Sequence, residues 1–95
     1  MTFEDLKTSF PDATLETWHL HPNGGGWVEN TATVAETAYV GPEAVVSENA
    51  VVSGNALVYG NAVVCGDAVV SGRSWVYGNA SASGDAVVSG NEIIN

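Results

Sequence analysis

The chain has 95 residues, a formal net charge of −9 and 45% hydrophobic residues, which suits one small domain with its own core. Its basic side chains are Lys7 and Arg73 against eleven carboxylates, so the composition argues against direct binding to nucleic acid or to an anionic membrane. A single cysteine excludes an intrachain disulfide.

The first 25 residues do not repeat, and they predict a small α/β cap. Thr2 followed by Asp5 is typical of a capping box at the start of a helix. The apolar side chains that would share one face of this helix are Phe3, Leu6 and Phe10. The segment TLETWHLHPNGGGWV then alternates and breaks at Pro-Asn-Gly-Gly-Gly, which predicts a strand and a turn. We therefore predict a cap over residues 1–25 and a second region over residues 26–95.

A six-residue unit repeats from residue 26 onward without insertion or deletion. Its first position is Ala or Ser from Ala32 to Ala86, its third is mostly Val, and its fifth is Gly from Gly54 onward. A repeat of six residues does not match the 3.6 residues of a helical turn, and β-branched residues recur. The units are therefore predicted to be short strands and not helices. First and third positions share one side of a strand and are predicted to be buried, while Gly followed by Asn or Asp predicts a corner.

A second period of eighteen residues predicts three strands per coil. At the second position of the unit, three different series alternate along the chain. They read Tyr39, Leu57, Trp75, Ile93; Trp27, Val45, Val63, Ser81; and Thr33, Val51, Val69, Val87. These outward positions differ from face to face, as stacked three-sided coils require. Seventy residues at eighteen per coil give about four coils.

The units resemble those of the hexapeptide-repeat family, in which an aliphatic residue is followed four positions later by a small one, as in Val52 to Ala56 and Val58 to Ala62. The resemblance implies an all-β fold, namely a left-handed parallel β-helix: a triangular solenoid of about four coils of three hexapeptides each, with the N-terminal cap. The handedness follows from the resemblance alone. The Trp-His and Pro-Asn-Gly-Gly-Gly-Trp-Val sequences that precede and enter the repeat, together with the VSGNA and VYGNA units, also resemble short β-solenoid proteins of phages and prophages.

Many members of this family are acyltransferases with a catalytic His and a coenzyme A donor held between coils, and others are zinc enzymes. This chain has no His within the repeat and almost no cation to meet a phosphate. We therefore predict that it is not an enzyme, with no catalytic residue, cofactor or metal site. His19 and His21, on one side of the cap strand, are assigned to structure. Cys65 is predicted to point outward and to be unreactive, since no cation lies near it in sequence.

Two sets of outward residues are predicted to carry function. The first is an aromatic strip for a protein partner or a second copy of the chain: Tyr39, Leu57, Tyr59, Trp75, Tyr77 and Ile93. The second is an acidic surface: Glu29, Glu36, Glu43, Glu48, Asp67 and Asp85. The alternative interpretation of the aromatic strip is that its stacked side chains only stabilise the sheet. The alternative for the acidic surface is that its charge only maintains solubility.

These features favour a non-enzymatic, acidic binding protein. By its resemblance to phage proteins, we expect a phage-encoded inhibitor of a host nucleic-acid-binding defence complex, such as a Cas effector, that acts as an anti-CRISPR-like DNA mimic. A homodimer through the aromatic strip or the coil ends is expected, with a trimer as the family's alternative. The chain would lie in the cytoplasm of a bacterial host, since no signal peptide is evident. The alternatives are a minimal acyltransferase-like enzyme and a phage spike or tail component.

Overall fold

The computed structural model of the chain describes residues 2–95, which form one short helix and thirteen short strands. The helix α1 spans Phe3–Ser9. The strands are β1 Trp18–Leu20, β2 Trp27–Glu29, β3 Thr33–Val34, β4 Tyr39–Val40, β5 Val45–Val46, β6 Val51–Val52, β7 Leu57–Val58, β8 Val63–Val64, β9 Val69–Val70, β10 Trp75–Val76, β11 Ser81–Ala82, β12 Val87–Val88 and β13 Ile93–Ile94. Within this part of the chain, no helix is both long enough and apolar enough to cross a membrane.

Strands three apart in the sequence pair in parallel and build three sheets. Sheet A contains β2, β5, β8 and β11, sheet B contains β3, β6, β9 and β12, and sheet C contains β4, β7, β10 and β13. Each coil therefore adds one strand to each sheet, and the chain forms a β-solenoid of about four coils with extents of 33 × 23 × 21 Å. The predicted all-β solenoid of stacked parallel strands is confirmed.

The first and third positions of the units form the core, as predicted. Val40, Val58 and Val76 lie on consecutive strands of sheet C, pair in register, and are fully buried. The other members of the two columns between residues 32 and 88 are also buried, except that Val34 and Ala86 are only half-buried. Alternation along each strand thus places small Ala and larger Val side chains together inside the coils.

The corners between strands require a left-handed backbone. The glycines at the fifth position, from Gly54 to Gly90, have φ between 62° and 69°. Glu48 occupies the fifth position of the unit before Gly54 and has φ 60°, a conformation that costs a residue with a Cβ atom about 1–2 kcal/mol. The predicted corner role of the Gly-Asn and Gly-Asp pairs is confirmed.

The N-terminal segment begins with the predicted helix. The N–H of Asp5 donates to Thr2 Oγ1 and the N–H of Thr2 donates to a carboxylate oxygen of Asp5, each over 3.2 Å, which completes the capping box. Strand β1 then pairs antiparallel with β2 and covers the outer edge of sheet A. The chain next runs under sheet C, where the N–H of Val40 donates to the Asn23 carbonyl over 3.0 Å. The segment therefore covers two of the three sheet edges in the first coil.

The same segment also packs against the side of the solenoid, which the sequence did not predict. Leu6 of α1 and Trp18 of β1 form a second apolar cluster with Trp27 and Val45, and all four side chains are buried. The second positions of sheet A point outward, as predicted, but in the first two coils the N-terminal segment covers them. This contact is stabilised because it buries apolar surface of the helix and of sheet A together.

Candidate functional site

The predicted aromatic strip lies on the outer face of sheet C. Parallel pairing places Tyr39, Leu57, Trp75 and Ile93 directly above one another, one per coil. Tyr39 and Leu57 are half-buried, whereas Trp75 is 41% exposed and Ile93 is 58% exposed. The apolar surface available to a partner therefore increases towards the C-terminal coils.

Ring contacts hold the strip in a fixed arrangement. The rings of Tyr59 and Tyr77 stack with centroids 5.1 Å apart and planes 7° from parallel. Trp75 meets Tyr77 edge to face at 6.4 Å, and the Asn95 amide donates to the Tyr77 hydroxyl over 3.2 Å. Because each ring is held by its neighbours, little side-chain freedom would be lost when a partner covers this face.

A shallow groove of about 290 Å³ borders the strip at its exposed end. Its lining consists of Arg73, Trp75, Asn91 and Ile93. Arg73 is the only basic residue within the repeats, so it places one positive charge beside the most exposed apolar side chains of an otherwise acidic rod. Tryptophan and arginine are both enriched at protein interfaces.

The predicted acidic residues do not form one patch. Four of them lie on the side of sheet A, one in each coil: Glu29 is the last residue of β2, Glu48 occupies the corner position after β5, and Asp67 and Asp85 directly follow the corner glycines after β8 and β11. The N–H of Asp67 donates to the Gly84 carbonyl over 2.8 Å, which fixes the stacking of this corner from coil to coil. We call these four residues the acidic edge. The other two predicted residues, Glu36 and Glu43, are exposed on the other two corners.

The two histidines of the N-terminal segment make different contacts. His19 is exposed, and its Nδ1 lies 2.6 Å from the Asn30 side-chain oxygen. His21 is 3% exposed, and its Nε2 donates to the Ala38 carbonyl over 2.8 Å. Each ring thus joins the N-terminal segment to the first coils. No group of three metal-binding side chains comes together among residues 2–95.

Cys65 is half-buried in sheet A, between Ser47 and Ser83 of the neighbouring coils. Burial raises the pKa of its thiol, and the negative charge of Glu48 raises it further. A raised pKa keeps the thiol protonated and therefore weakly nucleophilic at neutral pH.

Comparison with protein-family models, with curated proteins and with solved structures found no match. The resemblance to hexapeptide-repeat proteins is thus carried by the repeat itself and by the parallel solenoid that it forms. The surface has two chemical features: an apolar strip that can bury area against a partner, and the separate acidic edge, whose carboxylates can attract cations.

Sequence reasoning missed one feature of this surface, a cavity under the N-terminal segment. Its walls come from residues after α1, from β1, and from the first two coils of sheet A, where Glu29, Ser47 and Glu48 line it. A signal for this cover was present in the sequence. On sheet A the second position changes from Trp27 in the first coil through Val45 and Val63 to Ser81 in the last, so it is most apolar at the end that the N-terminal segment covers.

Proposed function

We propose that this chain is a non-enzymatic binding protein whose acidic edge docks on the basic, nucleic-acid-binding surface of a protein partner. The observation that carries the proposal is the acidic edge itself, with one carboxylate per coil on a rigid rod. Coils stack about 4.8 Å apart, whereas phosphates follow each strand of duplex DNA about every 3.4 Å along its axis. The acidic edge therefore places one negative charge per coil, at a wider spacing than that of the phosphates along a DNA strand.

The rest of the charge distribution supports the same proposal. The net charge of −9 is spread over a rod about as wide as a nucleic-acid duplex, with extents of 33 × 23 × 21 Å. Charge of one sign steers a partner of opposite charge during association, and added salt weakens this steering. A channel lined with Lys and Arg, such as that of a Cas effector, has the chemistry to receive it.

A binding role is favoured over catalysis by the contacts of the usual catalytic side chains. The His21 imidazole is buried and bound to a backbone carbonyl, and the raised pKa of Cys65 opposes thiolate formation.

We also propose that the chain is a hexapeptide-repeat protein with a left-handed triangular coil. We propose further that it has a phage source and inhibits a host defence complex in the bacterial cytoplasm.

The aromatic strip is assigned a second role in this proposal, as the contact between two copies of the chain. Its exposed residues Trp75 and Ile93 lie on one face, so a two-fold axis beside that face would cover both copies at once. The acidic edges of the two copies would then remain free for the partner.

The proposal is tested by competition with DNA. A purified Cas effector is bound to labelled duplex DNA, and the chain is added at increasing concentration at several salt concentrations. We expect displacement of the DNA that becomes weaker as salt increases. The double variant Asp67→Asn, Asp85→Asn should displace it several-fold less well, with a smaller salt dependence.

Two control variants sharpen this experiment. Glu36→Gln also removes one exposed carboxylate, but from another corner, and should change displacement less than twofold. His19→Ala should leave displacement intact, since an exposed structural contact has no part in it. If the chain never displaces DNA, or if displacement does not change across the salt series, the acidic edge has only a solubilising role.

A further inference from the structure

The cavity beside the acidic edge has the size of a small-molecule site. It has a volume of about 380 Å³ and lies between the N-terminal segment and the first two coils of sheet A. Volumes of about 300–1,000 Å³ are usual for sites that hold small organic ligands. The site is built from segments far apart in sequence, with Phe10 and Trp18 on one side and Glu29 and Glu48 on the other.

The cavity is negatively charged. Asp12, Glu29 and Glu48 all line it, and none of its lining residues is basic. One carboxylate is held in place, since Glu29 Oε1 accepts a hydrogen bond of 2.7 Å from the N–H of Glu48. A cationic ligand would therefore meet a carboxylate whose position is already fixed by the fold.

A buried hydroxyl without a partner lies in the same wall. Ser47 is 1% exposed, and its Oγ makes no hydrogen bond to any described residue. Because Val46 points into the core of the coils, alternation directs the Ser47 side chain outward, to the side covered by the N-terminal segment. A buried hydroxyl normally has a partner, so a ligand that donates a hydrogen bond here would satisfy it.

The opposite wall is apolar and aromatic. Phe10 and Trp18 lie with ring centroids 5.0 Å apart and planes at 50° to each other. Aromatic rings attract cations and also pack against the alkyl part of a ligand. The two walls together match a molecule with a cationic head and a short apolar body.

We propose that this cavity binds an organic cation that carries a guanidinium or ammonium group on a short alkyl chain. The carboxylates of Glu29 and Glu48 receive the cationic head, Ser47 accepts one of its N–H groups, and Phe10 and Trp18 pack on the alkyl chain. The source of the group is either a free amine or the side chain of an arginine or lysine from a protein. A metal ion is a poorer match, since no three metal-binding side chains in residues 2–95 converge here. This proposal does not depend on the acidic edge binding a Cas effector.

The test uses three probes and the full chain. N-acetyl-arginine amide represents a protein side chain, agmatine represents a free amine, and N-acetyl-citrulline amide has the shape of the first probe without its charge. Binding is followed by NMR at the indole N–H of Trp18, with the indole of Trp75, outside the cavity, as an internal reference. We expect a saturable shift of the Trp18 signal with a cationic probe, and at least ten-fold weaker binding of the citrulline compound.

Variants connect the signal to the proposed residues. Glu48→Gln, alone and with Glu29→Gln, should weaken binding about ten-fold or more, whereas Glu36→Gln on another corner should change it less than twofold. Ser47→Ala should weaken binding while leaving the fold intact, a result that a merely structural serine would not give. Circular dichroism of each variant establishes whether it is folded. If the double variant does not fold, the binding of the single variant Glu48→Gln decides the test.

The three probes also separate the two sources of the cation. Binding of both cationic probes indicates a site open to a protein side chain, and binding of agmatine alone indicates a site for free amines. No saturable shift with either cation, or equal affinity for the citrulline compound, would overturn the proposal.

Discussion

Gly66 lies against Gly84 of the next coil so closely that a Cβ atom on Gly66 would be 2.8 Å from the Gly84 nitrogen. Both residues have a positive φ, 67° and 62°. A Cβ atom on Gly84, by contrast, would meet no described atom within 4 Å. The two positions therefore share a backbone conformation, but a neighbouring coil lies against Gly66 and no described residue lies against Gly84 in this way.

This difference predicts unequal effects of the same substitution. Gly84→Ala should lower the free energy of unfolding by about 1 kcal/mol, because the left-handed conformation costs alanine about 1–2 kcal/mol and the stiffer unfolded chain returns about 0.4–1 kcal/mol. Gly66→Ala should lower it by about 1–3 kcal/mol more, since the added Cβ atom would also push the two coils apart. Urea unfolding of both variants measures the difference. Equal losses would mean that the coils are not stacked as described.

The buried Val column gives a second prediction. Val58 is fully buried between Val40 and Val76, so Val58→Asp would place a carboxylate in an apolar interior with no partner. We expect the variant not to fold, as measured by the loss of β-sheet circular dichroism. Val87→Asp is the matched control, because Val87 is 63% exposed and its replacement should change stability by no more than about 0.5 kcal/mol. A folded Val58→Asp variant would contradict the inward register.

The sequence was sufficient for the solenoid because its period is strict. An unbroken six-residue repeat fixes which side of each strand is buried, and a slip by one residue would expose the whole Val column, including Val58. The cavity around Ser47 could not be predicted in the same way. It depends on where Leu6 and Trp18 pack, and the N-terminal segment has no period that relates it to the coils.

The electrostatic effect of Glu48 on Cys65 gives a pH-dependent prediction. The thiolate is the charged form of cysteine, so the negative charge of Glu48 raises the pKa of Cys65, in addition to the larger effect of burial. Glu48→Gln should therefore lower this pKa and increase the rate of alkylation by iodoacetamide at pH 8, because more thiolate is present.

The rate of alkylation is best followed across a pH series. The curve of the Glu48→Gln variant should shift to lower pH while its upper plateau stays the same. Glu36→Gln, which removes a carboxylate on another corner, should leave the curve in place. A change in the plateau instead of the midpoint would indicate a change in access to the thiol and not in its charge environment.

The exposed end of the aromatic strip predicts self-association. Trp75 is 41% exposed and Ile93 is 58% exposed, side by side on sheet C, and burial of apolar surface is the main driving force for such contacts. We expect a dimer of the intact chain by multi-angle light scattering, and a monomer for the double variant Trp75→Ser, Ile93→Ser at the same concentration.

Two apolar residues on other surfaces provide the control for this experiment. Leu15 is 70% exposed and Val87 is 63% exposed, and neither belongs to the strip. The double variant Leu15→Ser, Val87→Ser removes exposed apolar side chains without touching Trp75 or Ile93, so it should remain a dimer. If the strip variant remains a dimer and the Leu15→Ser, Val87→Ser variant becomes a monomer, the contact lies outside the aromatic strip. A monomer for the intact chain would mean that the strip serves only to stabilise sheet C through its ring contacts.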